Sequence, residues 1–316
     1  LKKLYIIHND LDGIGNYVLI KYYNLQYDDL ISMGYEDYDV HENKIKEYTK
    51  DDTIVFVDFA PNENYMNLIE HNNINCIVYD HHSSVYELLK NWKYDKFTYF
   101  YEETLSGTAI FYKNDSNFVK KSKIVQDFVT LVSTYDTYNK KSELWIEAEN
   151  LNRLLFKLIR YQDDTLHKYD TFLKSMFYKF DNLQDFSFSS FEKTKIQEDI
   201  KKEKNMYFEL INGGSRTIKT RIDKEGNYFC IIKLTSKISS ISNMLLEKYK
   251  KVQYVICIND YNSDLKLSLR SREGFSLLNF ENVKGHERSA GYVNVTNELC
   301  NNLWKGTIYC LTKIKK

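Results

Sequence analysis

Three short apolar runs in the N-terminal half each end on carboxylates or imidazoles, and this constrains the fold more than any other feature. Leu4-Tyr5-Ile6-Ile7 leads into His8-Asn9-Asp10-Leu11-Asp12-Gly13, Thr53-Ile54-Val55-Phe56-Val57 into Asp58, and Cys76-Ile77-Val78-Tyr79 into Asp80-His81-His82. Near-continuous apolar runs of this length read as strands buried on both faces. Open α/β sheets build their sites at the C-terminal ends of such strands. Asp and His gathered there are the ligands that divalent metals take.

Between the runs the pattern turns helical. Gly13-Ile14-Gly15 opens an apolar-periodic stretch from Tyr17 to Tyr23, and Ile31–Met33 reads as a short strand. Pro61 precedes a predicted helix over Asn62–Glu70. Ser106-Gly107-Thr108 reads as a helix start, and Phe128–Val132 continues helically toward Thr134-Tyr135-Asp136-Thr137-Tyr138. Strands alternating with helices imply a parallel sheet with right-handed crossovers. From Leu144 onward the apolar residues recur at helical spacing, as in Leu151, Leu154, Leu155 and Leu158. The charged stretch Phe191–Ile211 reads as a connecting helix that stops at Gly213-Gly214. The last hundred residues return to strand-like runs at Tyr228–Leu234, Tyr254–Ile258 and Leu265–Leu269, with Ile238–Lys248 helical between them. The expected division is 1–145, a helical linker over 146–212, and a smaller α/β domain over 213–316.

Forty-four basic residues balance 44 acidic ones. A protein that coats long duplex nucleic acid draws its affinity from phosphate neutralisation and is usually basic, so balance argues against that role. It leaves room for a short substrate held by a few local charges. The five cysteines form no C-x-x-C pair, which argues against a zinc site or disulfide framework and fits a reducing cytoplasm. The sequence contains no transmembrane-length apolar run, and no membrane partner is expected.

The motifs have bland readings as well. His8, Asp10 and Asp12 alternate, so an extended segment would present them on one face; alternatively, Asp10 simply caps the next helix. A calcium loop starting at Asp10 would put Lys21 where a bidentate Glu is required, so that reading fails. A haloacid-dehalogenase-type phosphatase also uses Asp-x-Asp after a strand, but Gly13 stands where that family has Thr or Val. Two adjacent histidines after a buried strand, His81 and His82, have no obvious packing role, and imidazole is a common metal ligand. Asp136 alone reads better as an exposed helix end. Together, His8, Asp10, Asp12, Asp58, His81 and Asp136 would supply two ions, with one carboxylate shared. The mixed nitrogen and oxygen set favours manganese-like metals over magnesium alone and also admits zinc.

These motifs resemble the DHH phosphoesterase superfamily, named for the triplet that stands here as Asp80-His81-His82. The His8–Gly13 start and the Tyr135-Asp136-Thr137-Tyr138 segment are most similar to its oligoribonuclease (nanoRNase) branch. In the C-terminal half, Ser268-Leu269-Arg270 resembles the substrate-binding strand of the DHH-associated domain. Gly285-His286-Glu287-Arg288-Ser289-Ala290-Gly291 resembles its glycine-rich loop, here with fewer glycines before the histidine. The resemblance implies a parallel-sheet α/β DHH domain joined by a helical linker to a smaller α/β DHH-associated domain. It implies two divalent ions, manganese or else magnesium: His8, Asp10 and Asp58 hold one, and Asp12, Asp58, His81 and Asp136 hold the other. His82 would contact the scissile phosphate, and Ser268, Arg270, Gly285 and His286 would bind substrate. The implied reaction is metal-assisted phosphodiester hydrolysis on short oligoribonucleotides. The alternatives are a hydrolase of small nucleotides (cyclic or linear dinucleotides, 3′-phosphoadenosine phosphate) and an inactive nucleotide-binding module. The expected partner is thus a short RNA or nucleotide; a homodimer is compatible with this reading.

Overall fold

The computed structural model describes residues 1–118, 121–160, 165–214, 217–261, 264–286, 288–292 and 295–306. The chain divides into two compact units, Leu1–Gln197 and Glu198–Lys316.

The first unit is built on a five-stranded sheet: β1 (Lys3–His8), β2 (Asp29–Met33), β3 (Thr53–Val57), β4 (Asn75–Asp80) and β5 (Phe97–Tyr101). Their order is β2-β1-β3-β4-β5, all parallel. Register sets the level of the strand ends. Ile7 of β1 pairs with Val57 of β3, which pairs with Tyr79 of β4. His8, Asp58 and Asp80 therefore leave the sheet at one level. The order reverses direction between β1 and β3, and at such a switch point the flanking loops diverge and open a crevice.

Period-two alternation assigns each strand residue to a face. Leu4, Ile6, Ile54, Phe56, Cys76 and Val78 share one core cluster with Ile45, Tyr65, Ile69 and Val85. Those four come from α2 (Tyr38–Lys46), α3 (Glu63–His71) and α4 (Ser83–Leu89). On the other face, the rings of Tyr5 and Tyr79 meet Phe111 of α5 (Gly107–Asn114). Alongside lie α1 (Leu11–Tyr22) and α6 (Lys123–Asp136). α1 is buried from Leu11 to Ile20, as its apolar, glycine-containing sequence requires.

α7 (Trp145–Leu158) packs on α6, and α8 (Asp170–Asn182) packs on α7. Both belong to the stretch that reads from sequence as a linker, and both lie within the first unit. The boundary between the units falls inside α9 (Ser190–Asn212). At its start Ser189 and Glu192 form a reciprocal cap, and Glu192 also meets the buried Lys179 at 2.6 Å.

The second unit holds β6 (Ile218–Ile222), β7 (Tyr228–Lys233), β8 (Val252–Tyr261), β9 (Asp264–Ser271), β10 (Val283–His286) and β11 (Ser289–Tyr292). Their order is β10-β11-β9-β8-β7-β6. Within this sheet, among the described residues, only the β7–β8 pairing is parallel, and α10 (Ile238–Lys248) makes its crossover. Cys230, Ile232, Val255 and Cys257 pack with Ile241 and Leu245 of α10. Phe229, Ile231, Tyr254 and Ile256 face the opposite core with Leu303 of α11 (Asn297–Lys305). Residues read as a glycine-rich loop form the β10–β11 hairpin, with Gly285 opposite Ala290 and His286 opposite Ser289. Few glycines interrupt this stretch, so it retains the backbone of a strand. Glu287 lies outside the described residues, as does Cys310. The other four cysteines are buried. Among the described residues, no helix is long and apolar enough to cross a membrane.

Candidate metal centre

The His8–Gly13 segment is not extended, as the alternation of its polar residues suggested. α1 starts at Leu11, so Asp10 becomes its cap and accepts from the Gly13 N–H at 3.1 Å. Asp12 falls in the first helical turn and is buried. Gly13 is required here, because a Cβ would stand 1.9 Å from the His8 carbonyl oxygen.

α5 supplies the counterpart. The Gly107 N–H donates to Asp12 Oδ2 at 2.6 Å and the Thr108 N–H to Asp12 Oδ1 at 2.9 Å. The Thr108 hydroxyl donates to the Asp12 carbonyl at 2.6 Å. A helix N-terminus thus holds a buried carboxylate with its otherwise unpaired amides. Ser106 caps α5, and its own N–H donates to Ser133 Oγ of α6 at 3.1 Å, one turn before Asp136. The Ser106-Gly107-Thr108 segment was legible as a helix start; its role in fixing Asp12 was not.

Asp58 follows β3 with φ +53° and is 1% exposed. Asp is among the few residues that tolerate this left-handed backbone. Gly107 lies against it so closely that a Cβ there would sit 2.6 Å from Asp58 Cβ and 2.7 Å from its Cα.

Three triads have ligand atoms within 4.8 Å of one another: His8, Asp10 and Asp58; Asp58, His81 and His82; and Asp12, His81 and Asp136. Asp58 and His81 each belong to two. His8 Nδ1 lies 3.0 Å from Asp10 Oδ2 and 3.5 Å from Asp58 Oδ2. His81 Nδ1 lies 3.7 Å from Asp58 Oδ1, and its Nε2 lies 3.1 Å from Asp136 Oδ2. The six residues read as ligands, from four separate segments, converge. Both oxygens of Asp58 and Oδ2 of Asp136 are buried and accept no hydrogen bond from the described residues. Unsatisfied carboxylate oxygens are costly, and a cation is the partner that such a set fits.

The electrostatics carry the same imprint. Burial, then Asp12, Asp10 and Asp136, push the Asp58 carboxyl well above the usual range. Burial, then Asp12, Asp10 and Asp80, do the same to Asp136. Burial also opposes ionisation of Asp10, but the neighbouring His8 imidazole and the Gly13 amide hold it below the usual range. His81 is lowered by burial and by the adjacent His82, which favours the neutral imidazole that coordinates metals.

Asp80 is fully buried and takes no part in the triads. It serves His82 instead. Its Oδ1 accepts from the His82 backbone N–H at 2.7 Å and lies 2.8 Å from the ring Nδ1. This positioning role was not legible in the triplet. In the second unit, Ser268 and Arg270 lie on β9. Arg270 donates to the Leu269 carbonyl at 2.7 Å and to Ser239 Oγ at 2.5 Å.

No family model matches the chain. A stretch of 196 residues, 58% of the chain, is 26% identical to the oligoribonuclease NrnB of Bacillus subtilis. The match spans about half, 47%, of that relative's length. The DHH domain of a member of a ribosomal-protein family superposes with TM-score 0.56 at 10% identity. That alignment covers 98% of this chain and 87% of the other. The chain has the fold of a DHH domain. An exopolyphosphatase-related protein from Bacteroides fragilis is a second neighbour, with TM-score 0.53 and 15% identity over 96% of this chain and 91% of that one. Within Asp80-His81-His82, His81 lies among the carboxylates, His82 stands beside them, and Asp80 meets the His82 ring.

Proposed function

We propose that this chain is a divalent-metal-dependent phosphodiesterase that releases nucleotides from short oligoribonucleotides. One observation carries the reading: Asp58, buried with neither oxygen accepting a hydrogen bond from the described residues, belongs to two sets of candidate ligands. His8, Asp10 and Asp58 would hold one cation; Asp12, Asp58, His81 and Asp136 would hold a second. Manganese suits this mixture of imidazole and carboxylate, and magnesium is the alternative. The similarity to an oligoribonuclease supports a short RNA substrate, as does the balanced charge of the chain.

When bound, the cations supply positive charge for the phosphoryl oxygens and acidify water. The protein's part is positioning. Ionised Asp80 can only accept, so it fixes a proton of His82 on Nδ1 and holds the ring in place. His82 then orients a phosphate oxygen of the substrate. The α5 amides hold Asp12 in place and offset its charge. In the second unit, Ser268, Arg270, Gly285 and His286 contribute substrate contacts, Arg270 to a phosphate.

The test is a graded series from dinucleotide to hexanucleotide, incubated with manganese, with magnesium or with chelator. Metal-dependent release of mononucleotides is expected. Asp58→Asn should lower turnover by ~10³-fold, the scale of several kcal/mol of lost charge stabilisation. Undiminished cleavage by that variant would reject the assignment. Cleavage restricted to dinucleotides would move the substrate class to small nucleotides.

A further inference from the structure

Tyr35 follows β2 at the same end of the sheet as the carboxylate cluster, on a short 3-10 turn over Tyr35–Asp37. It is a large aromatic residue 45% exposed. Its ring stacks on Phe59 with centroids 4.7 Å apart and planes 25° apart. Phe59 is fully buried and immediately follows Asp58. The ring of His8 lies 5.4 Å from Tyr35 and 6.0 Å from Phe59. Tyr38 braces Phe59 from another side at 5.1 Å, and its hydroxyl donates to the Ala60 carbonyl at 2.5 Å. The outcome is an aromatic layer ending in a partly exposed ring beside a candidate metal ligand.

We infer that Tyr35 is a stacking platform for the nucleobase of the nucleotide whose phosphate reaches the cluster. The inference rests on the phosphodiesterase reading and names a specificity residue for it. An aromatic ring left 45% exposed beside a polar site that gathers carboxylates and imidazoles suits a planar partner that carries a phosphate. Stacking is indifferent to base identity, since every base has a π-face. Such a platform would make the enzyme select for nucleotides over other phosphodiesters without reading sequence. A rival role, in which Tyr35 only braces His8, predicts no dependence on a base.

The experiment compares wild type with Tyr35→Ala, Tyr35→Leu and Tyr35→Phe, each checked for folding by thermal melting. The substrates are an RNA dinucleotide and its two abasic analogues, each lacking one base. The expected result is that Tyr35→Ala and Tyr35→Leu reduce the kcat/KM preference for the base-bearing substrate ~10-fold, mostly through KM, and that Tyr35→Phe restores it. Calorimetry with adenosine monophosphate and ribose 5-phosphate, in manganese, provides a readout independent of turnover. The same variants should weaken the first ligand and not the second. An unchanged preference, equal losses on both ligands, or no binding of adenosine monophosphate to wild type overturns the inference. If wild type cleaves no oligonucleotide but binds adenosine monophosphate through Tyr35, the phosphodiesterase reading fails and the platform stands.

Discussion

Gly107→Ala is the sharpest perturbation the structure offers. The added methyl would meet Asp58 Cβ at 2.6 Å, Cα at 2.7 Å and N at 2.8 Å. These are largely backbone atoms of a residue in a left-handed conformation, so no side chain can swing aside. Restoring an ordinary 3.4 Å contact requires α5 to retreat by about 0.8 Å. That movement stretches the two amide bonds to Asp12, now 2.6 and 2.9 Å, beyond useful length. Overpacking a tight site costs about 1–3 kcal/mol, and weakening bonds to a buried carboxylate adds a comparable amount. A loss of ~3 kcal/mol is expected, or a Tm lowered by roughly 6–12 °C for a unit of this size. Calorimetric melting should show it, and manganese titration by electron paramagnetic resonance should show weaker binding, because Asp12 and Asp58 shift together. A variant that melts within a degree or two of wild type, with unchanged manganese affinity, would refute this account of how α5 organises the site.

Four further outcomes are expected. Asp80→Asn should reduce turnover ~10–100-fold, the usual consequence of losing an orienting partner, with manganese affinity changed less than by Asp58→Asn. In metal-free protein, Asp58→Asn should raise stability by ~0.5–2 kcal/mol in urea titration while abolishing stabilisation by added manganese, because it relieves repulsion that only a cation offsets. Lys179→Met should destabilise by ~3–5 kcal/mol by removing the Lys179 charge from the buried Glu192 carboxylate, measurable by the same titration. Burial works to raise Glu192, but Lys179, Ser175 and the Ser189 amide hold its carboxyl below the usual range. Its contribution is therefore present above the unfolded-state pKa and lost as pH falls through the folded one, so wild type should lose stability on the acid side of about pH 4.5 more steeply than Glu192→Gln.

The α/β architecture was legible because buried strands carry a dense signal. Runs such as Thr53–Val57 and Cys76–Tyr79 admit few other structures, and alternation with helices then fixes a parallel sheet. Other elements were hidden. β5, Phe-Thr-Tyr-Phe-Tyr over Phe97–Tyr101, is an edge strand of half-exposed aromatics without a clean alternation of burial. The convergence of His8, Asp58 and Asp80 depends on register, which no single strand states. The clamp on Asp12 was hidden for a related reason: it joins residues 95 and 96 positions apart, and small residues at a helix start look alike whether they cap or hold. Asp136 was ambiguous in isolation because its meaning depends on where α6 ends. Carboxylates suit helix N-termini better than C-termini, yet Asp136 is the last residue of α6, a local misfit that is itself a signal.

That misfit is one of several that share a direction. Asp58 sits at positive φ, Asp136 at the wrong end of a helix, and both are raised by carboxylates that crowd them. Each would be relieved by a substitution that the fold could accept easily, Asp58→Gly for the backbone or Asp136→Asn for the charge. Sequences are otherwise locally consistent with their structures, and departures from that consistency concentrate where function demands them. These departures lie within one small volume and bring with them an excess of negative charge in poor solvent. The same volume is buttressed by groups that hold it together at close quarters: Gly13 against His8, Gly107 against Asp58, and two amides on Asp12. A packing role would need no such combination of repulsion and reinforcement. A bound cation needs both, because the ligands must stay assembled before it arrives.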